Sequence, residues 1–351
     1  MNGSLLLLFY LNLPKSEVAT VPVTIHDVAR EAEVSHTTVS RALNNKGELS
    51  PETRARILAA AERLHYVPSS VAQALASGAT KTLGLIITNS ASPVYAAIVH
   101  AIEGAAHAVG YGLLLCNSAG SQEQALRCLA MLQSKQVDGL IVAPAQTDQR
   151  DIALLQRSGI PFVLLLRYFP DLPTDYVIMD NVEAGRVVTD HLLQRGHRRI
   201  GHVAGPEHIS SGQGRLAGYR QALEACGVPY DEDRVCHAAF TMDGGYQAAR
   251  QLLNRSQRPT AIFAATDMQA VGVLKAAKEL GLAVPGDLAL AGGDDIELAE
   301  YLEVPLTSFR QPSAEIGAQV VAILMARIGG DRDGFKQVVL KPELIVRRSS
   351  G

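Results

Sequence analysis

From Val23 onward the apolar positions recur at helical spacing in three short blocks. Ile25, Val28, Ala29 and Ala32 share one face, Val39, Ala42 and Leu43 a second, and Ile57, Leu58, Ala61 and Leu64 a third. An i, i+3, i+4 recurrence of this kind predicts amphipathic helices. Their starts are marked. Thr24 with Asp27 makes a capping box, Ser35 caps the second block, and Ser50-Pro51-Glu52 gives the third a cap, a first-turn proline and an acid for the positive helix end. The break at Glu33-Val34 is short, so the first two helices form a helix-turn-helix. Asn44 to Leu49 is polar loop. The third helix runs to about His65, and Pro68 closes it.

Beyond Thr82 the period changes. Apolar runs of strand length stand at residues 83–87, 113–116, 139–142, 162–166, 200–204, 261–264 and 288–291. Helical stretches lie between them at 94–109, 123–134, 183–195, 215–226, 244–253 and 268–280. Strand–helix alternation predicts parallel sheets covered on both faces. The stretch is long for one sheet, so two similar subdomains are expected, with a ligand held in the cleft at the carboxyl ends of the strands.

Composition narrows the function classes. The chain has 351 residues, 47% hydrophobic and 19% charged, with a formal net charge of −3. That is a globular balance, and it excludes a polybasic coat for nucleic acid. Residues 24–81 carry seven Lys or Arg against six Asp or Glu, a net of +1. So small a footprint predicts weak DNA affinity for one head and a need for two heads on two half-sites. The four cysteines, Cys116, Cys128, Cys226 and Cys236, form no C-x-x-C pair, which argues for a reducing compartment. Leu5 to Leu11 is apolar, but no Lys or Arg precedes it and no A-x-A site follows. Residues 1–22 are therefore read as a disordered extension or a mis-assigned start. The chain carries no leucine-heptad tail, so a tetramer built on a terminal coiled coil is not expected.

The N-terminal motifs then become specific. T-I-H-D-V-A-R-E-A-E-V-S-H-T-T-V-S-R-A-L-N, S-P-E-T-R-A-R-I and L-H-Y-V-P-S-S-V-A-Q-A-L-A-S-G resemble, without gaps, the headpiece of the lactose-repressor/galactose-repressor (LacI/GalR) family of transcriptional regulators. One departure is Glu33, where family members usually carry Gly; the turn is expected to be strained or the second helix re-aimed. The resemblance implies phosphate contacts for Thr24 and Ser35. It places His36, Thr37, Ser40 and Arg41 on the DNA-facing side, with Arg41 best suited to a guanine. It makes residues 69–81 a hinge helix and linker, with Leu75 as the wedge pushed into a minor-groove base step.

The resemblance continues to about Arg348 through L-G-L-I-I-T-N-S-A-S-P-V-Y, V-D-G-L-I-V, G-H-R-R-I-G-H-V-A-G, R-L-A-G-Y, A-T-D-M-Q-A-V-G and T-S-F-R-Q-P. It implies a core similar to type I periplasmic sugar-binding proteins. The expected organisation is an α/β chain: a headpiece over 23–68, the hinge, and an effector-binding and dimerisation core over 82–350. The core would divide into 82–180 with 311–330, and 181–310 with 331–350. Arg215, taken to begin a helix after the S-S-G-Q-G loop, would be a forked donor to the ligand, with a surface arginine as the plain alternative. Asp294 would be an acceptor or a loop cap. Tyr95 and Phe240 would be aromatic walls or simple packing. Thr266 and Asp267 follow a strand end and would bind the effector, with Asp267 reading equally as a helix cap. Leu166 stands where many members carry Asp or Asn, Thr266 where Asn is common, Gly293 where an aromatic is usual and Val94 where Phe is usual. These departures imply a roomier or less polar pocket.

Enzymatic constellations are thin. G-Q-G-R-L-A-G misses the dinucleotide spacing by one residue, no G-x-S-x-G occurs, and the adjacent Asp294 and Asp295 should diverge. His191, His197 and His202 lack metal-ligand spacing. The expectation is a cytoplasmic homodimeric repressor without cofactor or metal. Its partners would be pseudo-palindromic double-stranded operator DNA and a sugar or sugar-acid-like effector, with no membrane. The alternatives are a sugar-binding protein without DNA function, or an α/β enzyme.

Overall fold

A computed structural model describes residues 23–43, 48–67, 78–144, 149–169 and 172–351. The extension 1–22, Pro68 and the hinge through Ser77, with Leu75, lie outside the described residues. The chain divides into two compact units at Thr80/Lys81.

Among its described residues the first unit holds three helices: α1 (Ile25–Glu31), α2 (His36–Leu43) and α3 (Pro51–Arg63). Their shared core consists of small and branched residues: Val28, Ala29 and Ala32 from α1 and its end, Val39 and Ala42 from α2, and Ile57, Ala60 and Ala61 from α3. Leu58, expected inside, faces solvent, and Ala60 takes the inward position. The Arg54 guanidinium donates to the Ala42 carbonyl, 3.0 Å away, at the end of α2. Glu33 follows α1 with φ of 50°. The Val34 amide donates back to the Ala29 carbonyl and the Glu33 amide to that of Arg30, closing a Schellman turn. A non-glycine residue therefore holds the left-handed position that sets the angle between α1 and α2.

The second unit is built from two six-stranded sheets. The first contains β1 (Thr82–Ile87), β2 (Gly112–Asn117), β3 (Gly139–Val142), β4 (Phe162–Leu165), β5 (Tyr176–Met179) and β11 (Gln337–Leu340), in the order β11-β5-β4-β3-β1-β2. The second contains β6 (Ile200–Ala204), β7 (Val235–His237), β8 (Ala261–Ala264), β9 (Ala289–Asp294), β10 (Thr307–Arg310) and β12 (Glu343–Ile345), in the order β12-β10-β9-β8-β6-β7. All pairings are parallel except β10 with β12. Helices α4 (Pro93–Ala108), α5 (Gln122–Ser134), α6 (Gln149–Arg157) and α12 (Ser313–Ile328) accompany the first sheet. Helices α7 (Asn181–Gln194), α8 (Ser210–Ala225), α9 (Met242–Leu253) and α10 (Asp267–Glu279) accompany the second, with short α11 (Leu298–Tyr301) after β9. Each sheet has an apolar cluster on both faces, which is what continuous apolar strands require.

The subdomain grouping differs from the expected one at residues 337–340, which join the first sheet beside β5. The reason is a buried clip. Arg327, at the end of α12, donates from Nε and Nη2 to the two carboxylate oxygens of Asp175 at 2.7 and 2.8 Å, and the Lys336 amide donates to the same carboxylate. The turn after α12 is thus pinned at the start of β5, and the chain pairs there before crossing to the second sheet as β12. The chain crosses between sheets after β5, after β10 and after β11.

Candidate functional site

On the headpiece, α2 is two-faced. Val39 and Ala42 are buried, while His36, Thr37 and Arg41 are exposed and Ser40 is half-buried. The Ser35 hydroxyl sits 2.7 Å from those of both Thr37 and Thr38 and accepts the Thr38 amide at 3.1 Å, so it caps α2. Thr24 donates its amide and hydroxyl to Asp27 Oδ2 at 3.0 and 2.7 Å. These bonds hold the Asp27 carboxyl below its usual range. The His26 and His36 rings lie 5.0 Å apart, placing the start of α2 against α1. The outcome is an exposed row of short polar and forked donors on one helix.

In the core, a cavity of about 770 Å³, part of it open to solvent, is lined from both sheets. Tyr95, Arg215, Phe240, Thr266 and Asp294 all line it. Arg215 is the centre. Its Nε donates to Asn181 Oδ1 (3.1 Å), Nη1 to the Ala265 carbonyl (2.6 Å) and Nη2 to Asp294 Oδ1 (3.2 Å). Its guanidinium carbon lies 4.7 Å from the Phe309 ring centroid and 5.9 Å from that of Phe240. Gln311 Nε2 donates to the same Asp294 oxygen at 2.7 Å, while its own buried Oε1 has no partner. Burial raises the Asp294 carboxyl, and Arg215 and Gln311 oppose that shift. Tyr95 takes a 2.9 Å hydrogen bond from Thr88 on its hydroxyl.

Two cavity residues, Leu166 and Asp294, have φ of 63° and 101° at the ends of β4 and β9. Left-handed backbone at non-glycine positions concentrates where function dictates geometry. Asp295 follows with φ of 52°, and the turn sends the adjacent carboxylates apart. Asp295 receives Arg310 Nε at 2.8 Å and Arg347 Nη1 at 2.7 Å, away from the cavity.

Asp267 does not line the cavity. Its Oδ1 accepts the Ser308 hydroxyl (2.7 Å) and its Oδ2 the Ile296 amide (2.9 Å), tying α10 to the loop after β9. Burial, and the Asp294 charge next, push its carboxyl well above the usual range. The cap of α10 is Thr266, whose hydroxyl accepts the Gln269 amide at 3.2 Å and is thereby occupied. Arg215 does not begin its helix, because S-S-G-Q-G is itself the first turns of α8. The glycines of α8 serve packing: a Cβ on Gly214 would meet the Asn181 side chain at the start of α7. A Cβ on Gly218 would collide with the Val182 carbonyl oxygen, so only glycine lets α8 lie this close to α7. Gly293 does not widen the cavity, since the Phe309 ring fills the space beside it and backs Arg215.

Asn181, Gln311 and Phe309 were not singled out in the sequence. Phe309 and Gln311 lie in the T-S-F-R-Q-P motif, where no role was assigned to either, and Asn181 opens α7 just after the four-residue β5. The expected histidines take structural places. His191 Nε2 lies 2.7 Å from the Ser350 hydroxyl, and His197 Nδ1 lies 2.9 Å from that of Thr260. Among the described residues no cluster of three or more His, Cys, Asp or Glu could hold a metal ion, and no helix is long and apolar enough to cross a membrane.

Residues 24–69 match the profile of bacterial regulatory proteins, lacI family, and residues 189–350 that of the periplasmic binding protein-like domain. The HTH-type transcriptional repressor PurR of Proteus mirabilis (strain HI4320) is 37% identical over 329 residues, 93% of this chain and 96% of the relative. Its counterpart from Pectobacterium carotovorum subsp. carotovorum (strain PC1) is 38% identical over 329 residues, with the same shares. The Lac repressor dimer bound to operator and the anti-inducer ONPF superposes with a TM-score of 0.86 at 28% identity, covering 94% of this chain and 99% of that one. The CelR–cellobiose complex gives 0.73 at 35% identity, covering 93% and 99%. The chain belongs to the lacI family of bacterial regulatory proteins. It is a DNA-binding transcriptional repressor whose core takes a small-molecule effector, and its relatives are transcriptional regulators rather than enzymes.

Proposed function

We propose that this repressor acts in the cytoplasm as a non-enzymatic homodimer on a pseudo-palindromic operator, with a sugar or sugar-acid-like effector in the core cavity. The observation that carries the effector reading is the buried Arg215–Asp294–Gln311 set. A guanidinium and a carboxylate side by side suit a ligand whose hydroxyls both donate and accept. Tyr95 and Phe240 offer faces to the apolar side of such a ring. The Lac repressor's ONPF and CelR's cellobiose point the same way. Gln311 lies on the crossover between β10 of the second sheet and α12 of the first, so a ligand held there engages a segment shared by both halves.

On the DNA side, His36, Thr37, Ser40 and Arg41 read base edges, Thr24 and Ser35 hold phosphates, and Leu75 in the hinge opens a base step. The effector controls operator affinity by preferring one arrangement of the core; a differential of about 1–3 kcal/mol suffices. A thermal-shift screen of the full chain against sugars, sugar acids, phosphorylated sugars and nucleobases tests this. A stabilising saccharide that also changes operator affinity is the expected result. Stabilisation by a nucleobase alone would replace the saccharide reading.

A further inference from the structure

The residue that joins the hinge segment to the core is strained. Lys81 opens the second unit, and its φ of 52° lies in the left-handed region that favours glycine. Such backbone persists only where its surroundings over-determine it. Here they do, because β1 lies between β2 and β3 and both sides hold Lys81. On the β2 side, the Gly112 amide donates to the Lys81 carbonyl at 2.9 Å. The Lys81 ammonium lies 4.6 Å from the centroid of the buried Tyr111 ring and donates to its hydroxyl at 3.4 Å. On the β3 side, Asp138 Oδ2 accepts the Lys81 amide at 2.8 Å, and the Asp138 amide donates to the Thr82 carbonyl at 2.9 Å. The register of β1 with β2 begins at Thr82, opposite Gly112, so the strained residue stands one position outside the ladder. The clamp therefore acts on the chain that precedes β1, which leaves the extended course of the strand at a fixed place.

We infer that Asp138 is a positioning residue for operator binding: by holding the Lys81 amide it anchors the hinge segment, residues 69–81, where that segment leaves the core. An element tethered at a fixed point has a higher effective concentration at its target than one whose exit is loose, and the two hinges of a dimer must reach one operator together. The inference rests on the hinge reading of that segment and adds its anchor. Electrostatics alone gives the opposite sign, since removing a carboxylate should leave DNA affinity equal or higher.

The test uses the full chain and two DNA probes: a duplex selected from a randomised pool by the wild-type protein, and an unrelated duplex. The readout is the ratio of the two affinities at one salt concentration, where a change of charge cancels because it acts on all sequences alike. Asp138→Ala should lower the ratio about tenfold or more. Asp138→Asn has the same charge as the alanine variant but keeps an oxygen for the Lys81 amide, so it should stay within about threefold of wild type. Should Asp138→Ala fail to fold, Lys81→Gly takes its place. Glycine adopts the left-handed position without strain and frees the exit, and the ratio should fall about threefold or more. An unchanged ratio in Asp138→Ala, or in Lys81→Gly as its substitute, overturns the inference. So does an equal loss in Asp138→Ala and Asp138→Asn, which would take the effect away from the acceptor oxygen. Leu75→Ala is measured beside them. If it lowers the ratio and Asp138→Ala does not, only the anchor falls; if neither does, the hinge reading falls with it.

Discussion

Glu33 holds a backbone position that favours glycine, with φ of 50°, at the turn between α1 and α2. An L-residue there costs about 1–2 kcal/mol, while glycine adds back about 0.4–1 kcal/mol of unfolded-state entropy. Glu33→Gly should therefore stabilise the headpiece by about 0.5 kcal/mol, read as a higher midpoint for its unfolding. A lower midpoint would mean that the glutamate side chain makes a stabilising contact that outweighs the strain. Asp294 presents the same backbone problem inside the cavity, with φ of 101° and its carboxyl raised by burial. Asp294→Ala would leave Arg215 charged, buried and unpaired, so asparagine is the cleaner probe. Asp294→Asn keeps the size and an oxygen for Gln311 and Arg215 but weakens acceptance from ligand hydroxyls. Effector affinity should drop about ten- to a hundredfold, the worth of a hydrogen bond to a charged group. Unchanged affinity by titration would remove Asp294 from the ligand's reach.

At the scale of the elements, the α7–α8 contact depends on Gly218, since a Cβ there would meet the Val182 carbonyl oxygen. Gly218→Ala should force the two helices apart at an overpacking cost of about 1–3 kcal/mol, and it should loosen Arg215, one turn away on α8, from Asn181 at the start of α7. Denaturant melts and effector titration together check this: both should worsen, and a stability loss without any change in affinity would uncouple the helix contact from the site. The same helix shows where sequence reading stops. Continuous apolar runs such as Leu83–Ile87 and Ala261–Ala264 announce themselves as strands. Val235–His237, Thr307–Arg310, Gln337–Leu340 and Glu343–Ile345 do not, because each mixes polar and apolar residues over only three or four positions, and Tyr176–Met179, though as apolar as Ala261–Ala264, was passed over. Losing β5 also hid Asn181, which opens the helix after it, while Gln311 stood in the T-S-F-R-Q-P motif without an assigned role. Arg215, Tyr95, Thr266 and Asp294 were reachable because each sits in a recognisable motif, whereas Phe240 sits in none and was reached only through what the resemblance implies. Asp267 shares the A-T-D motif with Thr266, but its direction is set by Ser308 and the Ile296 amide, which lie far along the chain. The placement of residues 337–340 likewise depends on the Arg327–Asp175 clip, a contact between positions 152 apart in sequence.

Across the whole molecule, the core should lose stability in acid through its buried histidines. His202 is sandwiched between Tyr219 and Phe263, with ring centroids 5.1 and 4.5 Å away, and its Nδ1 lies 2.9 Å from the Phe263 carbonyl. Burial drives its pKa down to about 3, and burial lowers those of His191 and His197 as well. A histidine depressed in the folded state contributes stability that is complete above its unfolded pKa of about 6.5 and is lost as pH falls below it. For His202 the loss continues to about pH 3. Well inside that window each pH unit costs about 1.4 kcal/mol through His202. Asp267 and Asp294 pull the other way, because their raised carboxyls favour the folded state once protonated, and they soften the lower end of the slope. His202→Phe keeps the ring stack and removes the titrating group, at the cost of the Phe263 hydrogen bond. Its melting temperature should be lower than wild type at pH 7.5 and should fall less steeply between pH 6.5 and 4. An identical slope in the variant would assign the acid sensitivity of the core to groups other than His202.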